Sequence, residues 1–157
     1  MSTATNNLIK EFCQSIGMEA LGLDEENQRS LSFDDKLVVT FLGDETDNVT
    51  ALCFIAESHN RIEVLRKVLE QNFLSEAHGG GRFALEPNSD RVILTRNWDA
   101  IKTTVAQFSD ELEAFVNSGM QAKDFIETVV ASPEASTAPI DGSEPIVDSL
   151  SQAYQAI

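Results

Sequence analysis

Apolar residues recur at helical spacing in three stretches of the chain and run almost unbroken in two others. From Thr5 to Ile16 the positions Leu8, Ile9, Phe12, Cys13 and Ile16 share one helical face, and Gly17 is a natural stop. RIEVLRKVLEQNFL, from Arg61, sets Ile62, Leu65, Val68, Leu69 and Phe73 on one stripe, which Val64 and Leu74 widen beyond a single core contact. A face that wide asks for a second surface to cover it. Asn60 and Glu63 have the N-cap to N3 spacing of a capping-box variant, which predicts the start of this helix. The third stretch, entered from Asn97 to Asp99, carries Ile101, Thr104, Val105, Phe108, Leu112, Phe115 and Val116. Gly119 interrupts it, and Ala122, Phe125, Ile126, Val129 and Val130 resume the stripe, so it is one kinked helix or two.

Between the helices the period changes. Ser30 to Phe33, Lys36 to Leu42 and Val49 to Glu57 read as strands, joined by a tight turn at Asp34 and Asp35 and by the polar loop Gly43 to Asn48. Met18 to Gln28 before them reads as a connector with buried anchors and an acidic tip at Asp24 to Glu26. After Gly79, Gly80 and Gly81, RFALEP and RVILTRNW form two further strands around a turn at Pro87 to Asp90. An antiparallel sheet with one wet face alternates apolar and polar residues, yet KLVVTFL and VTALCFIA are apolar on both faces. Helices are expected to cover one side and something else part of the other. The expected fold class is α+β, in the order α-β-β-β-α-β-β-α, with a twisted antiparallel sheet in one domain over residues 1–131.

From Ser132 to Ile157 the composition shifts to prolines, small residues and four acids with no lysine or arginine, which predicts a disordered linker. Within it Ile146, Leu150, Tyr154 and Ile157 have the spacing of a short docking helix, a pattern that a frayed tail also produces.

Composition narrows the function. Acidic residues outnumber basic ones 26 to 11, for a formal charge of -15, which opposes binding to nucleic acid or anionic lipid and favours a basic or poorly folded segment. The start, MSTATNNLIKEF, lacks a basic leader and an apolar block, so no secretory signal is expected. Cys13 and Cys53 do not make a disulfide framework, and a reducing cytoplasm fits best. His59, His78 and the two cysteines match no zinc spacing or catalytic constellation, and Gly79 to Gly81 lead into a strand rather than the helix of a phosphate loop. No catalytic, cofactor-binding or metal-binding residue is expected.

LGL at Leu21 to Leu23, FDDKLVVTFL, VLEQNFLSEAHGGGRFALEPNSDRVILTRNW and DELEAFVNSGMQAKDFI together resemble the class I type III secretion chaperones of Gram-negative bacteria, the Tir-chaperone-like family. The resemblance implies a cytoplasmic homodimer that binds the N-terminal segment of a secreted effector and keeps it extended and export-competent without ATP. It implies a dimer seam from the second helix and the strand after it, at Ile62, Leu65, Val68, Leu69, Phe83 and Leu85. It further implies effector-binding patches on the first helix and the sheet, with candidates Phe12, Ile16, Leu31, Phe33, Val38 and Phe54, partly by strand addition at an exposed edge. Two other readings stand beside it. A regulatory module of the same fold would lack exposed apolar grooves, and a carboxylate enzyme would need two acids converging in a concave site.

Overall fold

The computed structural model describes residues 3–73 and 78–132. Leu74 and the predicted tail, with Ile146, Leu150, Tyr154 and Ile157, lie outside the described residues. The elements are α1 (Thr3–Ser15), β1 (Gln28–Phe33), β2 (Leu37–Gly43), β3 (Asn48–Glu57), α2 (Ile62–Gln71), β4 (Arg82–Leu85), β5 (Arg91–Asp99) and α3 (Val105–Ala131), in the order expected. All five strands pair antiparallel in the order β1-β2-β3-β5-β4.

The first turn follows its chemistry. Asp34 and Asp35 both carry positive φ, as a type I′ hairpin turn demands and as aspartate tolerates better than most residues. Alternation then sorts the sheet. Leu37, Val39 and Phe41 of β2, Val49, Ala51, Cys53 and Ile55 of β3, and Val92, Leu94 and Trp98 of β5 are buried beneath the helices. α3 packs on β2, β3 and β5, while α1 packs on α3, and α2 on α3 and β4. The core centres on Phe108 of α3, whose ring meets Trp98 at 5.0 Å, Phe12 at 5.3 Å and Phe41 at 6.0 Å, so one side chain ties together α1, β2, β5 and α3.

α3 is a single helix through Gly119, which settles the alternative of one helix or two. The glycine is there for close approach: a Cβ would stand 2.8 Å from Leu37 Cδ2 and 3.3 Å from Cys53 Sγ. Two predicted helix starts need correction. β5 runs on to Asp99, whose Oδ1 accepts from Ile101 N and Lys102 N, so the chain turns there and Ile101 is left exposed outside α3. The true cap is Thr104, whose hydroxyl accepts from Gln107 N while Gln107 Oε1 accepts from Thr104 N. Asn60 does not cap α2 either: it sits in the left-handed region at φ 55°, Arg61 takes the cap position, and Glu63 Oε1 accepts from Arg61 Nε at 2.6 Å.

Candidate functional site

The described residues leave two apolar surfaces uncovered. The first is the sheet face turned away from the helices. Ala84, Ile93 and Phe54 form one row across β4, β5 and β3, and Thr95, Leu52 and Thr40 form the next across β5, β3 and β2. Val38 lies at the same end, beside the Val39–Cys53 pair. Val38 is 55% exposed and Phe54 37%, while Leu52 and Ile93 are half-buried by their neighbours alone. Arg91 spreads its guanidinium over the Phe54 ring at 4.6 Å, a cation-π contact that leaves the ring edge open.

The second surface is the outward stripe of α2. Ile62 and Leu69 stand one heptad apart, with Phe73 one turn further on, and they are 76%, 65% and 58% exposed. Val64 and Val68, on the opposite side, are buried. Leu85 on the neighbouring β4 adds a fourth exposed apolar side chain.

The sheet edges differ. At the end of α2 the Asn72 amide reaches β4 and bonds both backbone groups of Phe83, donating from Nδ2 at 2.9 Å and accepting at Oδ1 at 2.7 Å. This side chain takes the place of a neighbouring strand. At β1 the backbone of Gln28 exchanges with Asp24, whose N–H donates to Gln28 O while Oδ1 accepts from Gln28 N. Gln28 therefore faces outward, and by strand periodicity so do the backbone groups of Ser30 and Ser32.

The segment joining the α2 stripe to β4 is held from below. Gly79 and Gly80 take positive φ, and a Cβ on Gly79 would stand 2.7 Å from the backbone of Ala114 in α3. Arg96 donates to Gly79 O and to Glu111 Oε2, which also accepts from Trp98 Nε1 at 2.8 Å. Replacing Arg96 with alanine removes two charge-assisted bonds from a part-buried site and is expected to cost about 1.5–3 kcal/mol. Urea denaturation checks this: the midpoint should fall at unchanged slope, and an unmoved midpoint would rule out a structural role for the clamp.

Of the residues the resemblance nominates, Val38, Phe54 and Ile16 are exposed, and Phe33 is half-buried against the core. Phe12 and Leu31 are core residues of this chain. Ile62, Leu69 and Leu85 are exposed and Leu65 half-buried, whereas Val68 and Phe83 are buried in the core. Leu52 and Ile93 on the open face, Asn72 and Arg96 were not singled out. For Leu52 the signal is present in the two-faced run VTALCFIA, and for Ile93 in the unbroken apolar run Val92 to Leu94; for Asn72 and Arg96 the sequence carries none.

Cys13 and Cys53 are buried free thiols, and burial pushes Cys53 up to about 12, which suits inert core packing. Asp44 accepts from Asn48 N and Thr46 N, bonds that hold its carboxyl below the usual range and close the β2–β3 loop. Glu57, His59 and Asp90 bring ligand atoms within 4.8 Å of one another at the surface, with His59 Nδ1 3.9 Å from Glu57. No helix among the described residues is long and apolar enough to cross a membrane.

Residues 7–123 match the Tir chaperone protein (CesT) family. Curated proteins give no match. Solved structures share the fold, and three of them show how far. A chain of the ExsC-ExsE complex is 22% identical, with TM-score 0.67, over 80% of this chain and 97% of that one. A chain of the Yersinia pestis type III secretion chaperone SycH in complex with a fragment of YscM2 is 20% identical, with TM-score 0.61, over 75% and 98%. A chain of the ExoT-SpcS complex from Pseudomonas aeruginosa is 17% identical, with TM-score 0.63, over 77% and 98%. With three quarters of its length matched and the fold in agreement, the chain belongs to the Tir chaperone (CesT) family, the class I chaperones of type III secretion.

Proposed function

We propose that this chaperone binds the N-terminal segment of one cognate effector in the bacterial cytoplasm and keeps it non-globular and secretion-competent without ATP. The observation that carries this reading is the sheet face of Val38, Leu52, Phe54 and Ile93, which no described element covers. A regulatory module of the same fold has no need of such a surface, and threonines between the apolar residues suit a segment that is held and later released. An extended segment has two ways to bind. Its apolar side chains seat on the open face, and its backbone adds to the β1 edge through Ser30 and Ser32, because Asn72 already occupies Phe83 on β4. The α2 stripe, with Leu85, is the surface we assign to homodimerisation.

The partner is first identified as the secreted protein that co-purifies with the tagged chain, expected at one copy per two chaperones. Val38→Asp then places an unpaired charge in the capture surface and should weaken binding of that protein's N-terminal segment about tenfold or more, with the dimer mass unchanged. Val38 is a cleaner site than Phe33, which also packs on the core. Undiminished binding by titration calorimetry would remove the open face from the capture surface.

A further inference from the structure

α3 leaves the domain at the same end of the sheet as the open apolar patch. Lys123 Nζ donates to Lys36 O, just ahead of β2, and Arg61, four residues past β3, donates to Val130 O at 2.7 Å and Ser132 O at 3.5 Å. The start of β2 and the end of β3 are neighbours, and Val38 and Phe54 lie there on the outer face. Twenty-five residues follow Ser132. The first seven, PEASTAP, span up to about 23 Å when extended, more than the roughly 10 Å between packed layers. Beyond them come Ile140, Ile146, Leu150, Tyr154 and Ile157, with Asp141, Glu144 and Asp148 and no basic residue.

Charge singles out the same destination. In a chain of net charge -15, six of the eleven basic residues fall between Arg61 and Arg96. Arg66 and Lys67 on α2 already share Glu70. Arg82, opposite Thr95, and Arg91, two residues before Ile93, stand on the open face. Arg91 already meets Glu86 Oε2 at 3.3 Å, with Glu57 and Asp90 at the same rim, while no ion pair holds Arg82 among the described residues, so the attraction for an acidic segment centres on Arg82.

We propose that residues 140–157 fold back over the open sheet face of their own chain, setting Ile146, Leu150 and Tyr154 against Val38, Phe54 and Ile93 and the acids beside Arg82. The tail is a built-in occupant that shields the patch between partners. Its regulatory meaning rests on the reading of this face as the capture surface; the contact itself does not. A tail closed nine-tenths of the time would raise the apparent Kd of a competing segment about tenfold.

The test uses the full chain and its Leu150→Asp, Tyr154→Asp double variant, with an unchanged urea midpoint as the check that the fold is kept. Methyl spectra of the free proteins should show Val38, Leu52 and Ile93 shifted between the two, with Ile62 and Leu69 unmoved, and hydrophobic-dye fluorescence should rise several-fold in the variant. Unmoved open-face methyls would overturn the proposal, as would shifts confined to Ile62 and Leu69, which would place the tail on α2. If the open-face methyls move but no effector segment binds the variant, the intramolecular contact stands and the capture reading fails.

Discussion

Phe108→Ala is expected to cost about 3–5 kcal/mol and to leave a marginally folded chain. The ring meets Phe12, Phe41 and Trp98, which come from α1, β2 and β5, so its loss opens a cavity that no single element can collapse into. A domain of this size has about 5–15 kcal/mol in total. Trp98, the sole tryptophan, is 5.0 Å from the deleted ring and reports the change directly in fluorescence-detected urea unfolding. An unfolding midpoint within experimental error of the parent would show that the core is not centred on this residue.

The second large effect concerns assembly. Ile62→Asp with Leu69→Asp puts two carboxylates per protomer into the surface assigned to the dimer, where association would have to bury them unpaired. A loss of two decades or more in dimer affinity follows, enough to give monomers at micromolar concentration. Both side chains are exposed in the protomer and lie away from its core, so the fold should survive, with far-ultraviolet dichroism unchanged. Sedimentation equilibrium decides the matter: a persistent dimer would mean that the seam lies elsewhere and that the α2 stripe serves another partner.

Much of this architecture is written locally. Period-2 and period-3.6 patterns, the two aspartates of the first hairpin and the glycines before β4 place every element in order, because each is a short-range steric fact. Helix starts were harder to read for an instructive reason. Asn60 with Glu63 and Thr104 with Gln107 have the same spacing, yet only the second pair caps a helix, since the backbone enters Asn60 in a left-handed conformation imposed by the turn after β3. The candidate site was legible as a set and not residue by residue. The sequence marks β2 and β3 as apolar on both faces, but which side receives the helices is decided by packing with α3, and that decision separates Val38 from Val39 and Phe54 from Cys53. Phe12, Leu31, Val68 and Phe83 are as apolar as their exposed neighbours and are spent inside the protomer.

The Asn72 clamp on Phe83 bears on what happens when copies of this protein crowd together without a client. A sheet with two bare edges is a monomer for polymerisation, since each added copy regenerates the edge it consumed. Here the middle of the four-residue β4 is plugged by an amide, so joining β1 to β1 consumes both usable ends at once. A continuous sheet built by strand pairing therefore ends at two protomers, whatever other surface those protomers share.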